Sequence, residues 1–210
     1  MMRCDQCGVY ACRTGELERL PANCPMQDNE SIYQEARAEY QKPEINNIAL
    51  NAARTEAAGY GVWTRLEEIM EFSRRAGFHK LGLAFCTGVR EEAKRVAAVL
   101  QSNGFEVYSV ICKTGSVPKE ELGITNEEKV RPGSYEPMCN PIGQAKLLNA
   151  AGTDLNVIVC LCVGHDTLFI QYSEAPVTVL AAKDRVLAHN PLGAVYASHY
   201  FQKKLSSHRL

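Results

Sequence analysis

Four short apolar runs between residues 78 and 187 constrain the fold more than any other feature of the chain. They span residues 80–85, 105–111, 155–161 and 177–181, and each is rich in Val, Ile, Leu or aromatic side chains. Such runs read as buried strands when Gly, Asn or Pro bounds them. Between them lie helical patterns. Residues 89–101 carry Ala93, Val96, Ala97 and Leu100 on one face, Asn140-Pro141 opens a helix reaching about residue 151, and residues 165–172 form a third. Strand and helix in alternation imply a parallel sheet joined by right-handed crossovers. The expected fold is therefore α/β, a parallel sheet of about four strands with flanking helices and the flavodoxin-like order 2-1-3-4.

The preceding segment, residues 28–77, reads as three helices. Asp28 or Asn29 caps the first, which carries Ile32, Tyr33, Ala36 and Tyr40 at helical spacing. Pro43 suits the first turn of the second, with Ile45, Ile48, Ala49, Ala52 and Ala53 on one face. The third turns Leu66, Ile69, Met70 and Phe72 inward and stops at Gly77. Trp63 anchors this layer. Residues 188–210 read as a closing turn and helix with a basic tail from Lys203 on.

Residues 1–27 are different in kind. Cys4-x-x-Cys7-Gly8, Cys12 and Cys24-Pro25 place four thiols in a stretch with no core-forming periodicity. So small a segment cannot bury enough apolar surface to hold a shape alone, and a metal would supply its fold. Tetrahedral zinc and an iron–sulfur cluster both accept four cysteines. The expected organisation is a Cys4 metal knuckle at 1–27, a helical segment at 28–77 and an α/β domain at 78–210.

Nine cysteines among 210 residues need an account. The N-terminus lacks the apolar core of a signal peptide and no run is long enough for a membrane span, so a cytoplasmic protein is expected. There disulfides are disfavoured, and metal or thiol chemistry is the better reading. Lys and Arg number 23 against 24 Asp and Glu. That balance offers no footprint for nucleic acid or a membrane surface.

The remaining cysteines follow the strands. Cys86 ends the first, Cys112 the second and Cys162 the third. In parallel strands all three share the carboxyl edge, where open α/β sheets bind ligands. Cys139 begins the helix leading into the third strand, which on position alone would put it at the opposite edge. The long Gly- and Pro-rich stretch 113–138 would then have to carry it back. Cys160, two residues before Cys162, reads as a deeper residue of the same strand face, a core thiol or reserve ligand. Cys86, Cys112, Cys139 and Cys162 together suit one metal centre, more in keeping with a 4Fe-4S cluster than with zinc. His165 and Asp166 are candidates for proton transfer, though Asp166 also suits a helix cap. Lys183, Asp184 and Arg185 follow the fourth strand and reach the same edge; Asp184 is a further catalytic candidate. No Gly-x-Gly-x-x-Gly, Walker or Gly-x-Ser-x-Gly pattern is present.

Several runs also carry a resemblance. Gly82-Leu83-Ala84-Phe85-Cys86, Met138-Cys139-Asn140-Pro141-Ile142, Leu161-Cys162-Val163-Gly164-His165-Asp166 and Lys183 to Pro191 are the most distinctive. With Arg65 to Ile69, Gly104 to Val107 and Cys112-Lys113, they resemble an uncharacterised family of presumed metal-binding proteins from archaea and anaerobic bacteria, domain-of-unknown-function family 1847. The resemblance implies metal binding and strengthens Cys139; it implies no reaction. Three readings follow. One is an iron–sulfur protein doing redox or sulfur-related chemistry on a small molecule or with an electron-transfer partner. The second is a non-enzymatic zinc protein with a structural or regulatory role. The third is a metal-free thiol enzyme with Cys86 or Cys162 as nucleophile.

The N-terminal reading makes a direct prediction. Cys7→Ser lowers the metal bound by one site and leaves residues 1–27 sensitive to protease. Unchanged metal content in that variant contradicts a Cys4 knuckle.

Overall fold

The computed structural model describes residues 3–206. Residues 207–210, the end of the basic tail, lie outside the described residues, as do Met1 and Met2. By compactness the chain divides into two units, Met1–Ala58 and Gly59–Leu210.

The first unit contains 3-10 turns at Cys4–Gln6 and Leu17–Arg19, and three helices: α1 (Ala11–Thr14), α2 (Glu30–Glu39) and α3 (Pro43–Gly59), whose last residue opens the second unit. In α2 nothing is buried, and Ile32 and Tyr40 are exposed. Helix α3 corrects the expected face: Ala52 and Ala53 are exposed, while Asn51 and Thr55 are buried. Burial of these polar residues is tolerated because the helix itself satisfies them. Thr55 Oγ1 donates to the Asn51 carbonyl at 2.7 Å and Asn51 Nδ2 to the Asn47 carbonyl at 2.9 Å.

The second unit holds α4 (Arg65–Ala76), β1 (Lys80–Phe85), α5 (Arg90–Ser102), β2 (Glu106–Ile111), α6 (Pro141–Ala151), β3 (Leu155–Val159), α7 (His165–Tyr172), β4 (Val177–Ala181), α8 (Gly193–Tyr196) and α9 (Ser198–Ser206). The four strands form one parallel sheet in the order β2-β1-β3-β4. This is the expected α/β fold and strand order. Central strands β1 and β3 are buried on both faces, and Leu81, Leu83, Val157 and Ile158 are at most 1% exposed. Ile69 and Met70 of α4, Ala93 and Leu100 of α5, Leu148 of α6 and Phe169 of α7 complete the core. A capping box starts α4: Thr64 Oγ1 accepts from the Glu67 amide and Glu67 accepts from the Thr64 amide.

Strand β3 ends two residues earlier than the apolar run suggests. Cys160 takes a left-handed backbone, φ 56°, and the β3–β4 register shifts at Ile158/Val159. The alternation of faces stops there, so Cys160 and Cys162 are not successive residues of one strand face. For a non-glycine residue this conformation is held only by its surroundings, and the Cys160 amide is fixed by the Ala181 carbonyl at 2.8 Å.

One close approach locks β1 to β3. A Cβ on Gly82 would lie 2.0 Å from Asn156 Oδ1 and 2.9 Å from Leu148 Cδ1. Asn156 is fully buried and bonded on both sides: Thr153 Oγ1 donates to its Oδ1, and its Nδ2 donates to Ser173 Oγ, each at 2.8 Å. Gly82→Ala is therefore predicted to cost about 1–3 kcal/mol through overpacking, read as a lower denaturation midpoint at unchanged m-value. A midpoint equal to the parent's contradicts the packing described.

Candidate thiol site at the carboxyl edge of the sheet

The ladder itself sets the first positions. The Cys86 amide donates to the Val159 carbonyl at 3.3 Å, and the Cys112 amide to the Phe85 carbonyl at 2.9 Å. Each cysteine is thus the next rung beyond the strand before it. Both are buried.

Cys139 arrives by the route the topology requires, and the expectation that its position favours the opposite edge is corrected here. A crossover helix runs antiparallel to the strands. Because α6 ends where β3 begins, α6 begins at the carboxyl edge, and Cys139 with it. The Asn140 amide donates to the Cys112 carbonyl at 2.7 Å. Asn140 also caps α6, accepting from the Gly143 amide at 2.9 Å, while its Nδ2 donates to the Thr114 carbonyl at 3.2 Å. One side chain so ties the helix start to the end of β2.

The stretch between β2 and α6 is ordered rather than open. Pro118 and Pro137 form an antiparallel bridge, the Met138 amide donates to the Val117 carbonyl, and Lys119 pairs with Glu136 at 2.5 Å. Lys113 Nζ donates to the Pro137 carbonyl at 2.6 Å, next to Met138-Cys139.

The thiols form a chain. Cys112 hydrogen-bonds both Cys139 and Cys86, and Cys139 hydrogen-bonds His165, the first residue of α7. Cys112, sharing its proton between its hydrogen bonds to Cys139 and Cys86, is pushed well above the ordinary thiol range. The Cys112 hydrogen bond and then His165 bring Cys139 down to about 4. The same Cys112 hydrogen bond is the main cause bringing Cys86 down to about 5. His165 is raised, first by its bond to Cys139. Backbone amides add to this: Thr87 N–H donates to Cys112 Sγ at 3.3 Å and Gly88 N–H to Cys86 Sγ. Amides aimed at sulfur stabilise its negative form.

Cys162 lies in a different relation to the edge. Its Sγ accepts from Arg185 Nη2 at 3.1 Å. Cys160 is buried and raised by desolvation, with Lys183, Cys86 and Cys162 within electrostatic reach. Asp166 accepts from the neighbouring Thr167 amide. Asp184 Oδ1 accepts from the Val186 and Leu187 amides, and its own amide donates to His189 Nδ1. Both carboxylates therefore hold backbone. In the first unit, Cys7 Sγ accepts from the Tyr10 and Val9 amides and is lowered by them. Cys4 and Cys12 are exposed and Cys24 is half-buried. Among the described residues no three His, Cys, Asp or Glu side chains already surround a common point as metal ligands do.

One residue of the site was not foreseen. Gln144, fully buried on α6, donates through Nε2 to the Val110 carbonyl at 2.7 Å and the Phe85 carbonyl at 3.3 Å. It clamps β1 and β2 just before Cys86 and Cys112. Its Oε1 has no hydrogen-bond partner among the described residues. The sequence does carry a signal: Gln144 precedes Ala145 and stands four residues before Leu148, a polar residue on the buried face of the helix.

Residues 24–180 match the family described as "Protein of unknown function (DUF1847)". The chain is 46% identical to an uncharacterized protein of Methanocaldococcus jannaschii, MJ0455, over 97% of its own length and 98% of the relative's. No solved structure matches it. The matched span includes Cys86, Cys112, Cys139, Cys162 and His165 and begins at Cys24. The chain belongs to the DUF1847 family.

Proposed function

We propose that this member of the DUF1847 family is a metal-binding protein whose centre is held at the carboxyl edge by Cys86, Cys112 and Cys139, with His165 as the fourth donor. The observation that carries this reading is the chain of hydrogen bonds from Cys86 through Cys112 and Cys139 to His165. These three sulfurs come from three separate segments of the edge, after β1, after β2 and before α6.

The donor set fits. Thiolate and imidazole are soft and borderline ligands suited to zinc and to iron–sulfur centres. Spacing separates the two. A tetrahedral ion with metal–sulfur bonds of about 2.3 Å sets its sulfurs about 3.8 Å apart, which is hydrogen-bond distance for sulfur. A 4Fe-4S cluster gives each thiolate its own iron and spreads the sulfurs further. We therefore read the centre as a single tetrahedral ion rather than the cluster suggested by the sequence. Amides of Thr87 and Gly88 then support the bound thiolates. A zinc ion held by these residues would supply Lewis acidity, and His165, hydrogen-bonded to Cys139, would serve as the neighbouring proton donor or acceptor. The N-terminal Cys4, Cys7, Cys12 and Cys24 are proposed as a second, structural site, supported by the amide bonds to Cys7 Sγ.

A second reading has its own support. The Cys139–His165 pair has the form of an activated nucleophile and base, and a metal-free thiol enzyme would use Cys139.

Metal analysis of anaerobically purified protein and its variants decides between them. Colourless protein with stoichiometric zinc is expected. Cys86→Ser, Cys112→Ser and Cys139→Ser each lose the same metal equivalent, and Cys160→Ser keeps it. Brown protein with broad visible absorption contradicts the single-ion reading in favour of a cluster. Full metal content in all three variants contradicts the centre altogether.

A further inference from the structure

Two cations beside the thiols take no part in the metal site proposed above, though one of them, Arg185, donates to Cys162 Sγ. Lys183 and Arg185 follow β4, on either side of Asp184, whose Oδ1 is occupied by the turn that follows. A Cβ on Gly88 would sit 3.3 Å from Lys183 Nζ and 3.9 Å from Cys86 Sγ. The absence of a side chain at Gly88 thus lets the ammonium approach the Cys86 sulfur, and a methyl group there would press on Nζ. Arg185 meets Cys162 at 3.1 Å and acts at longer range on Cys86 and Cys139. The ion pairs among the described residues engage other cations and none uses Lys183 or Arg185. Glu92 is within electrostatic reach of Cys160 but makes no ion pair with Lys183.

The surroundings favour negative charge as well. Helices α5, α6 and α7 all begin at this edge, so the positive ends of three helix dipoles face it. Val163 and Val186, each next in sequence to Cys162 and Arg185, are 93% and 72% exposed. Cations without anions beside exposed valines suit a ligand with a charged head and a carbon body.

We propose that Lys183, beside Cys86, and Arg185, beside Cys162, bind the carboxylate or a like oxyanion of a small organic ligand and present it to those two sulfurs. A guanidinium fork takes a carboxylate in two parallel hydrogen bonds, and the lysine adds a point charge. This rests on reading the edge as a ligand-binding centre and deepens it by naming the ligand's chemical class.

Charge-selective alkylation tests the proposal on the full chain, reduced and freed of metal with a chelator. The Cys162 thiolate displaces iodide from iodoacetate or iodoacetamide; the S–C bond forms as the C–I bond breaks, and iodide leaves with the electron pair. One thiol serves both reagents, so its thiolate fraction cancels in the ratio. Peptide mass spectrometry reads the rate at Cys162. The iodoacetate-to-iodoacetamide ratio is expected to exceed that of 2-mercaptoethanol by about tenfold, a modest electrostatic enhancement, and inorganic phosphate lowers it. Lys183→Met and Arg185→Gln, both on the rim, return the ratio towards that of 2-mercaptoethanol. Gly88→Ala, at a position whose φ is not left-handed, pushes Lys183 Nζ aside and lowers it too. A ratio equal to that of 2-mercaptoethanol, or one unmoved by all three variants, overturns the proposal. Because the chain is metal-free, a failure of metal binding leaves this result unaffected.

Discussion

The hydrogen-bond ladder of a parallel sheet decides where the chemistry of this protein lies. Phe85 pairs with Ile111 on one side and Val159 on the other. The residues that follow must emerge side by side, and two of them are Cys86 and Cys112. Their amides remain in the ladder, so the sulfurs project from backbone that cannot drift without breaking sheet hydrogen bonds. Gln144 fastens the same two strand ends from the helix layer. Burial makes that clamp costly to disturb, because each freed carbonyl would be left without water.

Electrostatics follows from that placement. Crowding three thiols and a histidine at one edge is unfavourable unless charge is spread, and the edge spreads it by holding one proton on Cys112 between two sulfurs that lose theirs. Helix starts, backbone amides, Lys113, Lys183 and Arg185 all act in the same direction. A site with this bias suits soft cations at its sulfurs and anions at its rim. Both proposals draw on that one arrangement.

Much of the fold was legible in the sequence because period and punctuation are local. The strands showed as four apolar runs, their order matched the flavodoxin-like expectation, and Gly77 and Asn140-Pro141 marked two helix ends. The carboxyl edge was legible too, since Cys86, Cys112 and Cys162 each follow a strand. What was not legible depended on backbone turns that leave no clear signal. The left-handed turn at Cys160 ends β3 early, and the contact of Cys162 Sγ with Arg185 follows it. Cys139 was brought to the carboxyl edge only by way of the long stretch 113–138, because a crossover helix was treated as running with the strands. In α3 the apolar stripe misled, because buried Asn51 and Thr55 are satisfied by their own helix.

X-ray absorption at the metal edge of the anaerobically purified protein tests the central claim most directly, since it reads ligands and distances without a variant. A single ion held by Cys86, Cys112, Cys139 and His165 predicts three sulfurs at about 2.3 Å and one nitrogen at about 2.0–2.1 Å, with no second metal atom nearby. The N-terminal site, if filled, adds an all-sulfur shell, which Cys7→Ser removes from the spectrum. A spectrum with metal–metal scattering, or one without metal–sulfur bonds in that variant, contradicts the account.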